Sequence, residues 1–230
     1  MKKIVLFAWG LVLSGTALAQ EKIEATIGAD FVSQYIWRGL DCGNVSVQPT
    51  LGVAYKGFSL SAWGSVGFKS EDTKEFDLTA SYTVGGFSVV ITDYWFNTPE
   101  ERYFNYKAHE TSHVFEGMIG YDFGLLSAAW YTNFAGNDGY NKSGKRAYSS
   151  YVEVNVPFKL ATCEWTGTLG AVPYATTFYD TNGFAVTNIA LKATKDIKIT
   201  DTFSVPLFAQ VIANPSSQKA YFVFGFTLQP

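Results

Sequence analysis

Residues 76–96 read FDLTASYTVGGFSVVITDYWF. From Phe76 to Val84, apolar and polar side chains alternate, which is the period of a β-strand with two different faces. Gly85-Gly86 separates this segment from a second one that begins at Phe87, and Gly-Gly in that position is typical of a two-residue β-hairpin turn. The stretch therefore predicts two antiparallel strands joined by a tight turn.

The same alternation extends over most of the chain, for example over residues 45–55, 203–211 and 222–228. It predicts twelve strands, at residues 25–38, 45–55, 58–68, 75–84, 87–96, 113–123, 125–134, 147–158, 163–172, 184–194, 203–213 and 220–228. An even number of strands returns both ends of the chain to the same side of a closed sheet.

The predicted connections differ between the two ends of the strands. They are short after even-numbered strands, at residues 56–57, 85–86, 124 and 159–162, and mostly longer and polar after odd-numbered strands, as at 97–112, 135–146 and 173–183. Residues 195–202 are the exception, unless strand ten extends into them. A soluble β-sandwich has no reason to alternate in this way, whereas barrels of bacterial outer membranes do. The sequence therefore predicts an all-β fold, a closed antiparallel transmembrane β-barrel of about 12 strands, with short periplasmic turns and longer extracellular loops.

The first residues resemble a secretion signal. Lys2 and Lys3 precede a ten-residue apolar run, and Ala17-Leu18-Ala19 fits a cleavage site. We expect residues 1–19 to be a cleaved Sec signal peptide and residues 20–230 to be one barrel domain in a Gram-negative outer membrane. Cleavage lowers the count of basic residues from 17 to 15 against 20 acidic ones, so nucleic acid is not an expected partner.

Aromatic residues make up 17% of the chain, and many lie near the predicted strand ends. Aromatic side chains of membrane barrels form a girdle at each interface with the head groups. The candidates are Tyr55, Phe58, Tyr82, Phe87, Tyr121, Phe123, Phe158 and Trp165 near the short turns, and Tyr35, Trp37, Trp95, Trp130 and Tyr148 near the loops.

Ser33-Gln34-Tyr35-Ile36-Trp37-Arg38-Gly39 resembles the first-strand signature of the TorF family of outer-membrane porins. Further similarity lies in residues 113–121 and 200–206. The resemblance implies a barrel that acts as a channel, with no catalytic residues to carry over. One departure is the C-terminus, Leu228-Gln229-Pro230, since many barrels end in an aromatic residue that guides assembly. The outer-membrane assembly machinery, an expected partner, would then use nearby phenylalanines such as Phe226.

Several polar side chains share the phase that points into the barrel. The lumen-lining candidates are Asp30, Gln34, Arg38, Asp77, Glu116, Asp122, Glu153, Glu164 and Lys192. Two interpretations remain open for them. A water-filled pore with this excess of carboxylates would favour cations. A packed interior in which Arg38 and Lys192 pair with acids would leave no pore.

Two sequence features suggest a zinc site or a lipid hydrolase, but we favour neither. His109-Glu110-Thr111-Ser112-His113 matches the zinc motif H-E-x-x-H. In extended backbone, however, residues four apart lie about 13 Å from each other, too far to share one ion. A lipid hydrolase would need a serine next to a histidine, and Ser112, Ser149 and Ser150 are the candidates. We expect no enzyme, no metal and no cofactor.

Cys42 falls in the first predicted loop and Cys163 beside a periplasmic turn, so we expect two free thiols at opposite ends of the barrel. The predicted function is a small porin-like channel for passive diffusion of ions or small polar solutes, embedded in membrane lipid. The alternatives are a barrel hydrolase that acts on lipid, and a structural or surface-interaction barrel whose function lies in the loops 97–112 and 135–146.

Overall fold

A computed structural model describes residues 22–69, 72, 74–97 and 102–230. The predicted signal peptide, residues 1–19, lies outside the described residues. The strands are β1 (Glu24–Val32), β2 (Tyr35–Trp37), β3 (Leu40–Gly43), β4 (Ser46–Tyr55), β5 (Phe58–Gly67), β6 (Lys74–Val84), β7 (Phe87–Asn97), β8 (His113–Asp122), β9 (Ser127–Gly136), β10 (Ser150–Leu160), β11 (Cys163–Val172), β12 (Ala185–Lys198), β13 (Ser204–Asn214) and β14 (Lys219–Leu228). No helix in these ranges is long and apolar enough to cross a membrane.

Twelve strands of the described chain close into one antiparallel barrel. Each pairs with its neighbours in chain order, and β1 closes the sheet by pairing with both β4 and β14. Phe31 and Phe226 stack across the closing pair, with 4.8 Å between their ring centroids. The predicted fold class and strand number are confirmed. β2 and β3 form a separate two-stranded sheet.

The two ends of the barrel differ as predicted. Residues 56–57, 85–86 and 161–162 are two-residue turns at one end, which we call the turn end, while residues 137–149 and 173–184 are loops at the other, the loop end. The unusual connection near residue 195 is resolved by β12, which runs on to Lys198. Strand length therefore accounts for that apparent exception.

The two faces of the wall follow the alternation in the sequence. On β4, Leu51 points outward and is 60% exposed, whereas Gln48 points inward and is 4% exposed. On β6, Leu78 is exposed on the outer face, and its neighbour Asp77 is buried on the inner one. A barrel with an apolar outer face and a polar inner face has the surface that a lipid bilayer requires.

The first predicted strand, 25–38, is wrong in its second half. β1 ends at Val32, and residues 33–45 leave the wall as the β2–β3 hairpin, which folds into the interior. Tyr35 is 6% exposed, and Trp37 packs against a buried cluster, so neither belongs to an outer aromatic girdle. Tyr35, Ile36 and Trp37 have the high β-propensity of wall residues, and the hairpin strands are extended too, but they belong to a sheet separate from the wall.

Candidate functional site in the barrel interior

The hairpin formed by residues 33–45, here called the plug hairpin, turns at Arg38 and Gly39. Both residues have positive φ, 51° and 81°, as two-residue hairpin turns of this kind require. Gly39 lies so close to β12 that a Cβ there would sit 1.8 Å from the carbonyl oxygen of Thr187. The Nδ2 of Asn214 donates to the carbonyl oxygen of Gly39 at 3.0 Å. Glycine is therefore required at the tip of the plug hairpin by both conformation and space.

The Arg38 side chain extends from this turn across the interior to β8. Its Nη1 and Nη2 donate to the two carboxylate oxygens of Glu116 at 2.6 and 2.9 Å, and the side chains of this ion pair are 7% and 3% exposed. Nη1 also donates to the Tyr179 hydroxyl at 2.6 Å. Such a bidentate pair is among the strongest side-chain interactions in proteins, and removing one member of a buried pair is strongly destabilising.

Aromatic rings surround the guanidinium group. Its Cζ lies 4.3 Å from the ring centroid of Trp37, 4.0 Å from that of Tyr131 and 4.6 Å from that of Tyr151. The Tyr94 hydroxyl donates to Oε1 of Glu116 at 2.9 Å. Cations are attracted to the faces of aromatic rings, so the rings stabilise the charge that the carboxylate holds in place.

The other side chains of the plug hairpin reach the remaining walls. Tyr35 packs against Trp63 on β5, with 5.6 Å between their ring centroids. Ile36 contacts the cluster formed by Ala190, Ile212 and Val223 on β12, β13 and β14. The plug hairpin therefore contacts inward-facing side chains on all sides of the barrel at the loop end.

Two further segments hold this arrangement. The loop 173–184 inserts Tyr179, whose ring stacks on Trp37 with 6.0 Å between centroids. At the exit of the plug hairpin, Asn44 donates to the carboxylate of Asp72 at 2.6 Å and the backbone N–H of Lys69 donates to it at 3.0 Å. These hydrogen bonds, that of Asn44 first, lower the pKa of Asp72 because they favour its ionised form.

The predicted lumen residues fall into three groups. Asp30, Asp77, Glu116, Glu153 and Lys192 lie on inward faces of the wall, Asp122 and Glu164 lie at the turn end, and Gln34 and Arg38 lie on the plug hairpin. Among these candidates, Arg38 and Glu116 form a direct ion pair. Glu164 instead pairs with Lys159 at 3.0 Å in an exposed position.

The inner wall toward the turn end is lined mainly by hydroxyl and amide groups. Asp30 accepts from Thr227 at 2.6 Å, and Asn155 accepts from Thr168 at 2.6 Å and donates to Glu153 at 2.8 Å. Lys192 interacts electrostatically with Asp30. Its Nζ lies 4.3 Å from the ring centroid of Phe208. Polar groups of this kind suit a surface that contacts water.

The tyrosines around Arg38 were missed by sequence reasoning. Tyr94, Tyr131 and Tyr151 are not among the predicted lumen residues, although each lies an even number of residues from an inward polar residue, such as Glu153 for Tyr151. That shared phase was the available signal. Tyr179 lies in a loop, where strand phase gives no information.

The histidine motif does not form a metal site. His113 lies on the outer face of β8, where Nδ1 is 2.7 Å from a carboxylate oxygen of Asp93 and Nε2 is 2.6 Å from the carbonyl oxygen of Tyr103. His109 stacks instead on Tyr140. In the described ranges, no group of three or more His, Cys, Asp or Glu residues could hold a metal ion.

The remaining candidates for chemistry are also engaged elsewhere. Ser149 bonds to Thr176, and Ser150 bonds to Tyr174 at 2.6 Å, so neither is seen beside a histidine. Cys42 and Cys163 are free thiols; Cys42 is on the plug hairpin at the loop end, and Cys163 begins β11 at the turn end.

No protein-family model and no curated protein matches the chain, so its resemblance to the TorF family stays a prediction. Among solved structures it is similar to a protein described as a porin, refined at 1.8 Å resolution, with 14% sequence identity and a TM-score of 0.39. The match covers 83% of this chain and 63% of the porin, so the chain spans less than two thirds of that porin's length. The barrel itself is established by the strand pairing of this chain.

Proposed function

We propose that the protein is an outer-membrane β-barrel that provides a narrow passive path for ions and small polar solutes, and that the plug hairpin closes this path at the loop end. The exposed apolar outer face supports a location in lipid. The polar inner wall toward the turn end supports contact with water. The observation that carries the proposal is the ion pair between Arg38 and Glu116, because this ion pair holds the plug hairpin inside the barrel.

Planar-bilayer recording of the refolded mature protein tests this function. The unmodified protein should show small or infrequent current steps. A variant in which residues 34–43 are replaced by a short Gly-Ser linker should conduct about fivefold more or better, since it removes the plug side chains from a barrel wider than the eight-stranded ones that side chains fill. The matched control removes residues 103–108 from the loop that packs on the outer face and should leave the conductance unchanged.

The alternative of a closed structural barrel is favoured by one observation, the contact of the plug hairpin with all sides of the interior. The same recording separates the two functions. If neither the unmodified protein nor the linker variant passes current above background, the channel is refuted and the closed barrel remains.

A mild preference for cations is part of the proposal. Asp30, Glu153 and Asp77 place carboxylates on the inner wall, and carboxylates along a pore favour cations. In a KCl gradient, the reversal potential of the linker variant should indicate cation selectivity. Glu153→Gln should reduce that selectivity, whereas Glu164→Gln at the exposed rim should change it less. An anion-selective linker variant would contradict the proposal.

A further inference from the structure

The surroundings of Arg38 have the composition of a binding site for an organic cation. Glu116 supplies a carboxylate that accepts from both Nη atoms, and Tyr131 and Tyr151 place ring faces 4.0 and 4.6 Å from the guanidinium carbon. Tyr94 holds the carboxylate through its hydroxyl. A carboxylate among aromatic faces is how proteins recognise guanidinium and substituted ammonium groups.

All four of these residues belong to the barrel wall and none to the plug hairpin. Glu116 lies on β8, Tyr94 on β7, Tyr131 on β9 and Tyr151 on β10, so adjacent paired strands hold them in register. These four residues are here called the Glu116 pocket. The pocket therefore belongs to the rigid part of the molecule, whereas its occupant, Arg38, belongs to a connection between strands.

We propose that the Glu116 pocket binds solutes that carry a guanidinium group, and that Arg38 is an internal ligand which such a solute displaces. The inference rests on the proposed function in one respect, because a solute reaches the pocket through the lumen. Displacement of Arg38 removes the main polar contact of the plug hairpin with the wall. Binding of the solute and release of the plug hairpin are therefore coupled.

The pocket should prefer guanidinium to ammonium. Both Nη atoms of Arg38 bond to the same carboxylate, which requires the planar fork of a guanidinium group. The flat group also lies over the ring faces of Tyr131 and Tyr151, where a compact ammonium group would fill less of the space. A neutral ureido group has the same shape but lacks the charge that Glu116 requires.

The native thiol Cys42 reports on release of the plug hairpin, since it is half-buried on that hairpin. The test uses the mature chain with Cys163→Ser, folded in detergent, and measures the rate at which a charged maleimide modifies Cys42. Arginine amide at millimolar concentration should raise this rate in a saturable manner by about fivefold. Lysine amide should need higher concentrations, and citrulline amide, the neutral match of arginine amide, should have no effect.

Two variants locate the response. Tyr151→Leu keeps the carboxylate and should raise the half-maximal concentration of arginine amide severalfold. Glu116→Gln, with its fold checked by the gel mobility of the unheated barrel, should give fast modification of Cys42 that no longer depends on arginine amide. A rate that does not respond to arginine amide, responds equally to citrulline amide, or still responds in Glu116→Gln would overturn the inference.

The outcome is separable from that of the proposed function. Labelling in detergent requires no current, so a barrel that fails to conduct can still reveal the pocket. Conversely, a conducting linker variant together with a Cys42 rate that is indifferent to arginine amide would refute the pocket and leave the channel intact.

Discussion

Two connections at the loop end lie on opposite faces of the barrel wall. The plug hairpin, residues 33–45, folds into the interior, where Arg38 meets Glu116. The connection between β7 and β8 lies against the outer face over its described part, residues 102–112, where the Tyr103 carbonyl meets His113 beside Asp93. Both bury a polar group under aromatic rings, one inside the barrel and the other outside it.

The phase of the wall residues explains this difference. Successive residues of a strand point to opposite faces, so Glu116 and His113, three positions apart on β8, face the interior and the exterior. On β7, the neighbours Tyr94 and Asp93 divide in the same way: Tyr94 donates to Glu116 in the interior, and a carboxylate oxygen of Asp93 lies 2.7 Å from Nδ1 of His113 on the exterior. Each connection therefore lies on the face where the wall offers it a polar partner, Glu116 in the interior and His113 on the exterior.

The largest expected effect is loss of the inner ion pair. Arg38→Met leaves Glu116 charged and buried without its partner and should lower the free energy of unfolding by about 3 to 5 kcal/mol. Urea unfolding of the protein in lipid vesicles measures this value. The double variant Arg38→Met with Glu116→Leu should recover part of the loss, because no unpaired charge is then buried; no recovery would mean that the pair does not hold the hairpin.

The two faces of the wall should respond differently to a charge. Leu51→Arg places a guanidinium group on the exposed outer face and should cost about 2 to 4 kcal/mol in a bilayer. Thr50→Arg, one residue away on the inner face, should cost far less. Equal losses in urea unfolding in lipid would contradict the assignment of the faces.

The tip of the plug hairpin provides a smaller effect. Gly39→Ala forces a Cβ toward the Thr187 carbonyl at a positive φ and should cost about 1 to 3 kcal/mol, or displace the hairpin and increase the reactivity of Cys42. Gly43→Ala is the matched control, since a Cβ there meets nothing within 4 Å. Similar behaviour of the two variants would place the tip elsewhere.

The outer pair should matter least. Asp93→Asn removes the charge beside His113 but leaves a hydrogen-bonding group, and it should cost about 1 kcal/mol. Its conductance should equal that of the unmodified protein, because the pair lies outside the lumen. A conductance change as large as that of the linker variant would contradict this separation of the two faces.

The wall was predictable because its information is local. Alternation fixed the faces of β4 and β6, and Gly85-Gly86 fixed a turn, since each depends only on neighbouring residues. Most strand limits agree with the predicted ones within two or three residues. The extension of β12 to Lys198 followed from the same pattern and was foreseen as an alternative.

The interior was not predictable in the same way. Arg38 contacts Glu116, which is 78 residues further along the chain, and Tyr179, which is 141 residues further. No local pattern encodes contacts over such sequence separations. Tyr35-Ile36-Trp37 interrupts the alternation of β1, but three consecutive apolar residues are equally compatible with a wall strand that is buried on both faces, so the interruption alone does not show that the chain leaves the wall at Val32. The Arg38–Glu116 ion pair agrees with the packed interpretation at the loop end, whereas the polar inner wall toward the turn end agrees with the water-filled one.

Photo-crosslinking from position 37 tests the central claim most directly. With p-benzoylphenylalanine in place of Trp37 in vesicles, the account predicts cross-links within the chain, to Tyr94 and to Phe178 or Tyr179, whose rings lie 5.7 to 6.1 Å from that of Trp37. Mass spectrometry of the digested protein identifies them. Cross-links to lipid instead would place Trp37 in the outer aromatic girdle and would contradict a plug hairpin inside the barrel.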